Sequence, residues 1–92
     1  MIKSFKHRGL ERLFIKGSVG GVQAVYAPRI CLILEAIDAA ERVNELDIPG
    51  LHLHRLKGDR RNPWSLRVSA NWRITFEFEN GDASILDLED YP

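Results

Sequence analysis

A single cysteine, Cys31, leaves no internal disulfide and no cysteine-built zinc cluster. It lies beside the apolar stripe of a predicted helix and is expected to act as small core filler. No apolar run is long enough to cross a bilayer. The basic start, MIKSFKHRGL, has no apolar stretch followed by a small-residue cleavage site, so a secretory leader is not expected. No glycine-rich loop joins a strand to a helix, which argues against a nucleotide cofactor. No Ser-His-Asp or Cys-His framing is visible, and there is no repeat, linker or low-complexity segment. Charge of one sign is also lacking. The formal net charge is zero, which on its own argues against a free-standing nucleic-acid binder. A cytoplasmic globular protein fits these absences.

At 92 residues with 45% hydrophobic side chains, one folded domain is expected. Residues 1–5 suit a short edge strand. Leu10, Leu13 and Phe14 are spaced as an apolar stripe, predicting a helix from about His7 to Lys16 that Gly17 ends. Pro28 suits a first helical position. Ile30, Ile33, Leu34, Ile37, Ala40 and Val43 or Leu46 then recur at helical spacing, which predicts a helix running to about Asn44 or Leu46. Asp47-Ile48-Pro49-Gly50 stops it. Strands are predicted over 51–56, 64–69, 72–79 and 83–89. A tight reversal at Ala70-Asn71 and an Asn80-Gly81 hairpin turn join the last three. Leu86 and Leu88 should face the helices, and Ile85 breaks that alternation. The expected architecture is α+β, with two N-terminal helices on one face of a mostly antiparallel sheet.

The stretch from Leu51 to Phe78 organises the chain. A period of two puts Leu51, Leu53, Trp64, Leu66, Val68, Ile74, Phe76 and Phe78 on a core face. His52, His54, Ser65, Arg67, Ser69, Arg73 and Thr75 share the other. Charge is segregated as well. Lys3, Lys6, Arg8, Arg12, Lys16 and Arg29 face one acid, Glu11, before residue 30. Arg55, Lys57, Arg60, Arg61, Arg67 and Arg73 face one acid, Asp59, between 51 and 76. The remaining acids gather in 35–47 and 77–90. A basic surface for phosphates, with acids elsewhere, is one reading. Solvated faces with cross-paired charges are the other.

Cleaving RNA needs few parts. A base takes the 2′-hydroxyl proton, an acid protonates the leaving 5′-oxygen, and cations hold the phosphorane. His54, Asp90 and Tyr91 are candidates for the proton transfers. Arg73, Lys57 and Arg67 are candidates for the phosphate. The same residues also suit an ordinary solvated sheet face. His52 and His54, two apart on a strand, could instead share a metal. A third ligand such as His7 or Asp90 would be needed, and nothing in the sequence places it.

MIKSF at the start, the HRLKGDR run from His54 to Arg60, WSLRV from Trp64, NWRITF from Asn71 and the Asp90-Tyr91 pair resemble the HigB group of bacterial toxins, within the RelE-like superfamily. The resemblance spans nearly the whole chain. It implies a RelE-like fold and a toxin of a type II toxin–antitoxin module. The implied activity is metal-independent and cofactor-free: cleavage of translated messenger RNA in the ribosomal A site by 2′-hydroxyl attack. The implied site is His54, Arg73, Asp90 and Tyr91, with Lys57 in the loop beside Arg60 and Arg61. The implied partners are the ribosome, messenger RNA and a HigA-like helix-turn-helix antitoxin, through which alone operator DNA is contacted. Members of the group commonly end Asp-Tyr-His, and Pro92 stands here instead, which implies weakened activity. Related folds also include non-enzymatic toxins that bind DNA gyrase, so a protein-binding polar face is the alternative.

Overall fold

A computed structural model describes residues 1–58 and 62–90. Helix α1 spans Arg8–Lys16 and helix α2 spans Ala27–Ala39. Strands β1 His54–Arg55, β2 Trp64–Arg67, β3 Trp72–Glu79 and β4 Asp82–Asp90 form an antiparallel sheet in that order. The α+β expectation holds. Both helices lie on one face, around a core of Leu10, Leu13, Ile30, Ile33, Leu34, Ile37, Leu66, Ile74, Phe76 and Leu86. Each such side chain contributes about 1.5–3 kcal/mol relative to exposure. Cys31 packs half-buried at the edge of this core.

Local chemistry explains the element ends. His7 caps α1, its Nδ1 accepting from the Leu10 N–H at 3.2 Å. Histidine is not a favoured cap residue, so the sequence did not announce this role. Gly17 closes α1 at φ 69°, as expected. Helix α2 stops earlier than its apolar periodicity predicts. Ala40 turns to extended backbone at ψ 131°, and a short 3-10 turn at Val43–Leu46 follows. Alanine gives no stop signal. The break is set by packing, because it returns Leu46 to the core, where it is 1% exposed.

The strands differ from expectation at their ends. β1 has only two ladder residues, because His52 sits at φ 51° and interrupts the extended chain before them. β2 ends at Arg67, since the Val68 and Ser69 N–H groups both turn to the Trp72 carbonyl, at 2.9 and 3.2 Å. β3 matches its prediction, and β4 extends one residue further at each end. Asn80 and Gly81 both hold positive φ, as their hairpin requires. The N-terminal segment runs parallel beside β4, bridging Ile2 to Ala83 and Phe5 to Leu86.

Ile85 explains its own broken alternation. Glu77 pairs with Ser84 but Thr75 pairs with Asp87, so β4 carries one residue more than β3 between those pairs. That residue bulges, and Ile85 takes φ 56°, which is unusual for a β-branched side chain. Its N–H finds the Ser4 hydroxyl at 2.9 Å. The bulge returns both Ala83 and Leu86 to the core face, although they are three apart.

Gly9 in α1 passes against Gly21 in the following loop. A Cβ built on Gly9 would stand 2.2 Å from the Gly21 carbonyl oxygen. Glycine-to-alanine changes in a helix ordinarily stabilise by about 0.5–1 kcal/mol. Here the sign reverses: Gly9→Ala should destabilise by about 1–3 kcal/mol, read as a lower urea midpoint with an unchanged slope.

Candidate active site

The ladder registers align the open face of the sheet in rows. His54 pairs with Ser65, Ser65 with Thr75, and Thr75 with Asp87. In the next row Arg67 pairs with Arg73, and Arg73 with Glu89. Directly paired residues project from the same face. His54, Arg67 and Arg73 therefore share the face away from the helices, as the alternation predicts. Ser65 and Thr75 are 0% and 3% exposed although they lie on this polar face. The middle of the face is thus covered by longer neighbours.

An open recess of about 330 Å³ on this face is lined by His52, Leu53, His54 and Arg73. Both histidines are exposed and Arg73 is half-buried. Arg67 is half-buried too, and its Nε donates to the Ser69 carbonyl at 3.1 Å. Lys57 is exposed at the start of the following loop, where Gly58 turns at φ 90°. That loop is closed by the Leu56 N–H on the Pro63 carbonyl at 2.8 Å and by Arg55 Nε on the Asn62 carbonyl at 3.2 Å. Arg55 also stacks over Trp64, 4.9 Å from the ring centroid. Arg60, Arg61, Tyr91 and Pro92 lie outside the described residues.

Asp90 reaches the same end of the sheet, but its register partner is Trp72. Strand alternation puts it on the opposite side from Arg73 and Glu89. Glu89 is the acid that stands across from Arg73, and it accepts a hydrogen bond from Thr75 Oγ1. Asp87 pairs with Lys6 at 3.9 Å. The open face is therefore graded, with histidines and arginines toward β1 and carboxylates toward β4. Cross-pairing of charge is real on its acidic side. The Ile85 bulge shifts the parity of Asp87 and Glu89, so counting back from the hairpin turn could not place them.

His7, as the cap of α1, lines a different hollow with Gly20, Tyr26, Trp72 and Leu88 on the helix side. It is not beside His52 and His54. Among the described residues, no group of three His, Cys, Asp or Glu side chains could hold a metal ion.

Sequence reasoning also missed Arg29 as a support. From α2 its Nη2 donates to the carbonyls of Gly50, at 2.7 Å, and Arg67, at 2.9 Å. This ties the chain entering His52 to the end of β2. Hydrogen bonds from charged groups are each worth about 1.5–3 kcal/mol. Arg29→Ala should therefore lower stability by about 2 kcal/mol in denaturant melts. Amide exchange should rise first at residues 51–53, before the core strands, and Arg29→Lys should recover part of the loss.

With this geometry in view, the family follows from comparison. Residues 3–91 match a family described as the HigB-like toxin, a RelE-like toxin of the type II toxin–antitoxin system HigB. A protein of Proteus vulgaris named Endoribonuclease HigB is 57% identical over 91 residues, covering 99% of each chain. The chain belongs to the HigB-like family of RelE-like toxins of type II toxin–antitoxin systems.

Proposed function

We propose that this protein is an endoribonuclease that cuts translated messenger RNA in the ribosomal A site, and that a HigA-like helix-turn-helix antitoxin restrains it. The single observation that carries this reading is the recess on the open sheet face, where His54 and Arg73 stand together. The Proteus vulgaris relative's name gives the class of reaction. Contact with operator DNA runs through the antitoxin, and the setting is the cytoplasm, where ribosomes translate.

The chemistry is transfer within the RNA. The 2′-oxygen attacks the adjacent phosphorus while its proton is removed. The bond to the 5′-oxygen breaks, and that oxygen takes up a proton. A 2′,3′-cyclic phosphate remains. His54 handles a proton at the recess, and Arg73 holds the charge that gathers on the phosphorane oxygens. Arg67, one register position away on β2, adds cationic charge to the same row. Lys57, with Arg60 and Arg61, binds the flanking RNA or ribosomal backbone. Asp90 and Tyr91 complete the site from the end of β4, Asp90 by fixing the strand end on the Trp72 side. The reaction so written uses no metal or cofactor.

An open recess does not enclose a nucleotide. Orienting the attacking hydroxyl in line with the leaving oxygen then falls to the ribosome. Such positioning is worth about 7–11 kcal/mol, enough to separate a slow reaction on free RNA from a fast one on a programmed ribosome.

His54→Ala and Arg73→Ala should each relieve growth arrest, with cleavage falling roughly 10²-fold or more and thermal melts close to the parent. Primer extension on cellular messengers reads the cut sites directly. Arg67→Ala and Lys57→Ala should instead weaken binding. Each should flatten the salt dependence by about 0.7 in log–log slope for every phosphate that the variant no longer neutralises. Intact messenger 5′ ends alongside full growth arrest would refute the nuclease.

A further inference from the structure

We infer that His52 is the second proton-transfer residue of the reaction, working opposite His54 in the same recess. The inference rests on the nuclease reading above and extends it to a residue with no role there. Cleavage by 2′-hydroxyl attack moves two protons at different oxygens, and one imidazole cannot stand at both during a single step. The recess supplies a second imidazole, because His52 lines it with His54 and Arg73.

Three observations separate His52 from an incidental surface histidine. It is exposed, and its imidazole has no hydrogen-bond partner among the described residues, so both nitrogens are available. Its backbone sits at φ 51°, in the left-handed region that only a few per cent of non-glycine residues occupy and that histidine, like asparagine and aspartate, enters more readily than most. Strained backbone of this kind concentrates where surrounding structure enforces it for a task. The enforcement is visible on both sides of the residue. Arg29 clamps the Gly50 carbonyl at 2.7 Å, and the Leu51 carbonyl accepts from the Arg67 N–H at 2.7 Å. The positive φ is what breaks the strand before β1 and brings residue 52 to the recess beside residue 54.

The step balances with these two groups. As the bond from the 2′-oxygen to phosphorus forms, the 2′-hydroxyl proton passes to the neutral imidazole of the pair. As the bond from phosphorus to the 5′-oxygen breaks, the imidazolium of the pair gives its proton to that oxygen. Solvent then restores both protonation states. The charged groups around the pair are Arg73 on β3, Arg67 on β2, Glu89 across from Arg73 on β4, and Arg29 beneath the entering chain.

The test is the pH dependence of cleavage of messenger on programmed ribosomes, for the parent, His52→Asn and His52→Gln. Asparagine tolerates the left-handed backbone, so His52→Asn removes the imidazole and keeps the chain path. The parent should give a bell-shaped profile of kcat. Both variants should lose roughly 10²-fold in kcat with little change in KM, keep the parental melting temperature, and show one limb of the bell removed. His54→Ala should remove the other. Parental kcat with both limbs intact in His52→Asn overturns this inference while leaving the nuclease standing. Uncut messenger with the parent protein overturns both.

Discussion

The backbone of Ile85 is held at φ 56°, and this one residue in excess on β4 sets which side chains meet on the open face of the sheet. Without it, the hairpin register would run on unshifted from Asn80-Gly81. Leu86 and Leu88 would then stand beside Thr75 and Arg73, and Asp87 and Glu89 would point into the core. With it, leucines face the helices and Asp87 and Glu89 lie on the open face. Left-handed backbone at a β-branched residue costs on the order of 1–3 kcal/mol. The N-terminal segment offsets that cost by supplying Ser4 Oγ to the Ile85 N–H and the Ser4 carbonyl to the Leu86 N–H. The first strand-like residues of the chain are therefore a brace for the last strand.

A charge gradient follows from the same register. Cationic and imidazole groups occupy the β1–β3 side of the face, while Asp87 and Glu89 occupy the β4 side. A polyanion approaching this face is attracted to one half and repelled from the other. Net neutrality of the chain thus coexists with a charge gradient across one face. Arg29 and Lys6 lie outside the recess yet bear on it. One fixes the segment that delivers the histidines, and the other pairs with Asp87 on the acidic side of the same face.

Much of the fold was legible because its signals are local. The stripe Leu10, Leu13 and Phe14, the stop at Gly17 and the Asn80-Gly81 turn all act within a few residues, and each lies where the sequence puts it. The alternation through Trp64–Arg67 and residues 72–78 correctly put His54, Arg67 and Arg73 on one face. What stayed hidden depends on distant partners. Ala40 ends α2 because Leu46 must return to the core. The bulge at Ile85 depends on Ser4, eighty-one positions away. Glu89 and Asp90 exchange faces with that bulge, so the carboxylate beside Arg73 could not be identified by counting. Arg29, which looked like one more surface cation, became a clamp only once Gly50 and Arg67 were seen beside it.

That the helix-free side of the sheet is the RNA side can be measured directly. A short messenger fragment methylated at every 2′-oxygen binds without being cut, and weak binding suits nuclear magnetic resonance. Shifts centred on His52, His54, Arg67 and Arg73, shrinking as salt rises, are the expected footprint. Shifts confined to Tyr26, Trp72 and Leu88 in the hollow on the helix side would contradict it.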